Sequence, residues 1–212
     1  MNPWKPVRRT FGLLAILSLA AAAYALGADD AKKNQPAPNL SPEQAKQMEA
    51  WIAASRPGKE HEAMKRLEGT FDVEVEMVER PGAAPEKSKG TQKSVTIMGG
   101  RYLHADYTGE AMGQTFHGAS LTGYDNLKKK HFSAWIDDMG TGIMLAEGTA
   151  SPDGKVITLH GQYVDPAGRE RKYRWVTTFD GDDRYTFDWF EADPTSGKEF
   201  RMMHSTYTRA KS

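Results

Sequence analysis

The chain has 212 residues, 28 basic and 28 acidic side chains, and no cysteine. That length suits one domain with short extensions. The lack of cysteine excludes disulfides, thiol nucleophiles, Cys-ligated metal sites and a lipid-anchored export signal, and the balanced charge, with no concentrated basic face, excludes a nucleic-acid partner.

Residues 1–25 have the three parts of a signal peptide. Lys5, Arg8 and Arg9 form a positive start, residues 11–23 are a nearly unbroken apolar run, and Ala23-Tyr24-Ala25 puts small residues at the cleavage positions. The run is shorter than the roughly 20 residues a spanning helix needs. The expectation is therefore cleavage near Ala25, an exported protein in the periplasm or outside the cell, and no membrane span in the mature chain. The mature chain then carries 25 basic against 28 acidic residues. Residues 26–40 are polar, include Pro36 and Pro38, and read as a disordered tether.

Residues 41–68 carry helical signals. Ser41 suits the cap, Pro42 the first position and Gln44 the partner place of a capping box. Met48, Trp51 and Ile52 then share one face. Pro57-Gly58 breaks the run, and a second short helix over 59–67 sets Met64 and Leu67 on one side. The two helices are expected to cover an opening or flank of a sheet.

From Gly69 to residue 211 the period changes from 3.6 to 2. Phe71, Val73, Val75 and Met77 alternate with Asp72, Glu74 and Glu76, which predicts a half-buried strand with an acidic outer face. Residues 81–90 read as a loop. Strand-like runs follow at about 91–98, 101–109, 114–124, 130–138, 142–150, 155–164, 170–179, 184–191 and 198–209. Gly, Pro, Asp and Asn fill the short connections, as in Gly99-Gly100 and Asp180-Gly181-Asp182, so neighbouring strands are joined by hairpins. The fold expected is all-β: an antiparallel up-and-down barrel of about ten strands, whose closure hides every edge. Tyr173, Trp175 and Phe179 alternate on one strand, and Tyr185, Phe187 and Trp189 on the next. With Trp135, Tyr163 and a mouth arginine, Arg171, they are the candidate lining of a ligand pocket.

Several stretches resemble a known family. They are Leu67-Glu68-Gly69-Thr70-Phe71, Gly99-Gly100-Arg101-Tyr102-Leu103, Gly123-Tyr124-Asp125-Asn126, Trp135-Ile136-Asp137-Asp138-Met139-Gly140-Thr141-Gly142 and a tail ending Tyr207-Thr208-Arg209. Over residues 57–211 the chain is similar to DUF1579, a bacterial family of unknown function. The resemblance implies a lipocalin-like barrel of the calycin type and no activity. Phe71 departs from it, standing where the family usually carries Trp.

The polar candidates are fewer. His104 and Asp106 share one strand face, His117 lies on the strand expected to pair with theirs, and His204 lies on the last strand, beside the first in a closed barrel. Asp137, Asp138 and Thr141 flank a glycine-rich turn, where carboxylates either meet a polar ligand or cap backbone groups. Six isolated histidines without ligand spacing define no metal site, and no cofactor motif is present. The leading expectation is an extracytoplasmic binding protein for a small apolar or amphipathic molecule. A hydrolase- or isomerase-like enzyme would need His104, Asp106 or His117 within hydrogen-bond reach beside a cavity. A structural or protein-interaction module would need a solid core and an exposed apolar patch.

Overall fold

Gly69, where the hydrophobic period changes, is the junction between helix and sheet. A computed structural model describes residues 40–211. The leader expected over 1–25 and the tether up to residue 39 lie outside the described residues. The chain divides after Arg56 into two units. The first contains α1 (Pro42–Ser55), which starts with the expected capping box: Gln44 N–H donates to Ser41 Oγ at 3.3 Å, and Ser41 N–H to Gln44 Oε1 at 2.9 Å. No residue of α1 is buried, and Trp51 is 56% exposed. On the Met48–Trp51–Ile52 face, Met48 and Ile52 are half-buried and Trp51 is exposed.

The second unit begins with α2 (Lys59–Met64) and a 3-10 turn (Lys65–Leu67). Ten strands follow: β1 (Gly69–Met77), β2 (Glu86–Ile97), β3 (Tyr102–Ala111), β4 (Gln114–Asp125), β5 (Lys130–Asp137), β6 (Met144–Ala150), β7 (Val156–Val164), β8 (Glu170–Phe179), β9 (Arg184–Ala192) and β10 (Glu199–Arg209). Each pairs antiparallel with its neighbour in sequence, and β1 also pairs with β10, which closes the barrel. The expected architecture is therefore the one observed. The loop expected over 81–90 is shorter than that, because β2 already starts at Glu86. Its first turns of chain have no apolar residue to betray a strand. They pair with β1 along the backbone ladder, with Lys87 Nζ 2.7 Å from Glu76 Oε1 and Lys89 Nζ 3.2 Å from Glu74 Oε1 on the acidic outer face of β1.

The α2 segment plugs one end of the barrel. His61 and Met64 are buried there, and the His61 ring meets Tyr124 edge-on at 6.0 Å. Arg209, the last residue of β10, holds the plug down. Its Nη1 donates to Glu68 O at 2.6 Å, its Nη2 to Arg66 O at 2.7 Å, and its guanidinium lies over Phe71. That approach requires Gly69: its φ is 109°, and a Cβ there would collide with the Arg209 guanidinium. Phe71 is fully buried and packs against Tyr185 at 5.2 Å. Phe in place of the family's usual Trp therefore still fills the base of the barrel.

Candidate functional site

Because side chains alternate along a strand, every second residue points into the barrel. A cavity of about 200 Å³ lies between those residues and the plug. One wall is apolar and aromatic: Ile157 and Leu159 on β7, Trp175 and Phe179 on β8, Tyr185, Phe187 and Trp189 on β9. The facing wall is lined by Leu103 and Ala105 on β3, and by hydroxyls: Ser120 and Thr122 on β4, and Ser133 on β5. Thr122 and Ser133 are hydrogen-bonded to each other at 3.2 Å. Gln92 on β2 donates to Tyr185 OH at 2.8 Å and to Ser94 Oγ at 3.0 Å. Tyr185 stacks on Tyr207 at 4.3 Å, and burial raises the pKa of both phenols.

The plug closes one side of the cavity with Glu60, Ala63, Met64, Arg66 and Leu67, next to Ala150 and Gly154. Arg66 spans this side. Its Nη2 donates to Gly154 O at 2.9 Å and its guanidinium lies 3.3 Å over the Phe179 ring, while its Nε is buried without a partner. His131 on β5 is buried beside it, with Nδ1 unpartnered and Nε2 3.9 Å from Glu60 Oε2. Desolvation lowers the pKa of His131, although Glu60 pulls the other way. Desolvation also lowers that of His61, whose Nδ1 accepts the Gly58 N–H at 3.1 Å and is therefore unprotonated.

The opposite end of the barrel is filled. Tyr107, Phe116 and Trp135 form an aromatic trio with centroids 5.9–6.4 Å apart. Trp135 lies flat on Gly118, where a Cβ would strike its ring, and its indole N–H is held by Asp137 Oδ2 at 2.8 Å. Tyr173 packs on Trp175 at 4.8 Å, donates to Leu145 O at 2.9 Å, and burial pushes its pKa up to about 12. Arg171 Nη2 lies 3.1 Å from Glu191 Oε2, which also accepts from Tyr163 OH at 3.2 Å. Glu191 is 3% exposed; desolvation raises its pKa, Tyr163 and Arg171 offset part of this, and its Oε1 is buried without a hydrogen bond. The Trp189 indole sits close enough to stabilise that carboxylate slightly, yet its own N–H falls short of hydrogen-bond geometry.

Of the expected pocket residues, Trp135, Trp175, Tyr185, Phe187 and Trp189 line the cavity. Tyr163, Arg171 and Tyr173 do not, because they belong to the filled end. Arg171 is held by the internal Glu191 and by Ala192 O. The polar candidates stand outside the cavity. His104 Nδ1 and Asp106 Oδ2 approach to 3.6 Å, but they alternate with the cavity-lining Leu103 and Ala105 and so face outward, with Asp106 exposed. His117 is exposed next to Thr108. His204 Nδ1 meets Asp188 Oδ1 at 2.7 Å and its Nε2 lies 3.5 Å from Thr206 Oγ1 on the outer wall. None of these residues lines the cavity, so the requirement set for an enzyme site is not met by them. Asp137 and Asp138 cap their turn, accepting the Met139 and His117 N–H groups at 3.1 Å, and Thr141 is exposed. The chain's sequence did not single out Arg66, His131 and Gln92. His131 carries a signal in retrospect, since it alternates with Ser133 and Trp135 on one strand face.

Among the described residues no group of three or more His, Asp or Glu side chains is placed to hold a metal ion, and no helix is long and apolar enough to cross a membrane. No curated protein matches the chain. Among solved structures, it is similar to Rv2717c from M. tuberculosis, with 14% identity over 74% of this chain and 100% of that one and a TM-score of 0.56. It is also similar to the S-type phycobiliprotein lyase CPES from Guillardia theta, with 13% identity over 74% of this chain and 99% of that one and a TM-score of 0.53. At such identities the likeness is one of fold. The family model described as protein of unknown function, DUF1579, matches residues 56–209, from the start of the plug to the end of β10, and the chain belongs to that family.

Proposed function

We propose that this protein is an extracytoplasmic binding protein whose barrel holds a small apolar or amphipathic molecule. One observation carries the reading: the barrel is closed, yet it is hollow beneath the plug, with an aromatic wall facing a row of hydroxyls. Ligand sites combine apolar walls with a few placed polar groups in this way. The Trp175 indole N–H in this lining is buried without a protein acceptor, a donor for a polar group of the ligand to meet. The volume, about 200 Å³, lies below the roughly 300–1,000 Å³ of drug-sized pockets and points to a compact ligand. Placement outside the cytoplasm rests on the leader in residues 1–25 and expects a mature chain starting after Ala25.

Native mass spectrometry and an absorption spectrum, taken on protein purified from its own host, test both points. The expected result is a mature mass beginning after Ala25 with an added small-molecule mass that organic solvent removes. A clean apo mass that also fails to change with any apolar additive contradicts the binding reading. An intact leader contradicts export with cleavage.

A further inference from the structure

The polar groups around the cavity are unevenly distributed, and the imbalance specifies a ligand class. Arg66 is the one guanidinium in the lining. It uses one arm, Nη2 to Gly154 O, and one ring face, over Phe179. No carboxylate lies within 4 Å of it among the described residues, Asp182 acting only at longer range, and its Nε is buried with no partner. Trp175 Nε1 and His131 Nδ1 are likewise buried and unpartnered, whereas the Trp189 indole lies beside the Glu191 carboxylate. The lining therefore offers the Arg66 guanidinium and the Trp175 indole as nitrogen donors with no protein acceptor. Its one carboxylate, Glu60, is already engaged at the rim, 3.6 Å from Lys59 Nζ and 3.9 Å from His131 Nε2.

We infer that the cavity is built for a small amphipathic monocarboxylic acid, its carboxylate on Arg66 at the plug and its apolar body against Trp175, Phe187 and Trp189. This rests on the binding reading above and narrows it. Arg presents paired donors that match a carboxylate, and the stacked, backbone-anchored side chain is already held in place, so little freedom is lost on binding. A single guanidinium with Glu60 nearby suits one negative charge and disfavours a dianion such as a phosphate monoester. The small volume suits a short chain or a single ring. The hydroxyl row of Ser120, Thr122 and Ser133 gives the acid a second polar contact along its flank.

The test is a titration of the protein at pH 7 with three probes of one length, octanoate, 1-octanol and octylammonium, read by tryptophan fluorescence. Octanoate is expected to bind about tenfold or more tighter than 1-octanol, the gain of a charge-assisted hydrogen bond. Arg66→Met is expected to close that gap by weakening octanoate more than 1-octanol, and Arg66→Lys to keep part of it. Equal binding of acid and alcohol, or tightest binding of the amine, overturns the carboxylate assignment and leaves the binding reading standing. Failure of all three to bind overturns both. The contrast among probes in the unmutated protein decides the question even if Arg66→Met folds poorly.

Discussion

The two ends of this barrel use the same kinds of residue to opposite effect. At the far end Tyr107, Phe116 and Trp135 lie on one another, Tyr173 packs against Tyr163, and Arg171 and Glu191 neutralise each other in the gap. At the plug end Trp175, Phe187 and Trp189 face small hydroxyl side chains, and Arg66 has no acidic partner. An aromatic stripe along a strand therefore does not mark a pocket by itself. What matters is whether the opposing strands supply aromatics or small residues. Ser120, Thr122 and Ser133 leave space that Phe116 and Trp135 occupy a few residues away along the same strands.

The contrast is open to direct attack. The largest effect is expected from Arg171→Ala, which strands Glu191 in the filled end. It should lower unfolding free energy by about 3 kcal/mol at pH 7, measured by urea denaturation, and by progressively less as pH falls, because a buried carboxyl without its guanidinium takes up a proton more readily. A paired Arg171→Met, Glu191→Gln change should recover most of the loss, and ligand affinity should not move in either protein. Arg209→Ala should cost about 2 kcal/mol through the lost charge-assisted bonds and should raise amide exchange over residues 59–68, because that side chain ties the plug to β10. Ser120→Leu fills the cavity. It should change stability by no more than about 1 kcal/mol, since open space accepts the added carbons, while binding of a small apolar probe falls by about tenfold or more.

The smallest effect separates the two ends by pH. His61 and His131 have pKa values held below 6.5 by desolvation. The unfolded chain therefore takes up protons first as pH drops below 6.5, and the plug end loses stability through that window until the folded histidines titrate. Glu191 is shifted the other way, raised above 4.5. The folded state holds its proton longer, so the filled end loses stability as pH rises from 4.5 through the raised value. Amide exchange at pH 5 and pH 8 should show the plug loosening at the acid side and the β8–β9 end at the basic side. His131→Gln and Glu191→Gln should each flatten one trend and leave the other.

Much of this fold was legible because its turns are chemically explicit. Gly99-Gly100, Asp165-Pro166-Ala167-Gly168 and Asp180-Gly181-Asp182 sit between runs of period 2, and each became a hairpin connection. The opening of β2 was not legible: residues Glu86 to Gly90 contain no apolar side chain, and they become a strand by continuing the backbone ladder with β1, where Glu74 and Glu76 lie opposite their lysines. The site was half legible. Trp175, Phe187 and Trp189 announce themselves by alternation, but alternation cannot say which level of a barrel is filled from across. That is why Arg171, Tyr163 and Tyr173 share the stripe with the cavity-lining residues and yet stand at the filled end. Arg66 carried no periodic signal at all, being a single residue in a three-residue turn, and its importance comes from strands far away in sequence that bring Gly154 and Phe179 to it.

A nitrogen-15 NMR titration of the protein with octanoate tests the central claim most directly, because indole and amide signals report both ends of the barrel and the outer wall at once. The account predicts saturable shifts of the Trp135, Trp175 and Trp189 indole N–H signals and of the α2 amides, with the β7–β8 turn at residues 165–169 unmoved. Shifts confined to the exposed Ile136 and Leu145 surface, or to the Arg171–Glu191 end, would contradict it.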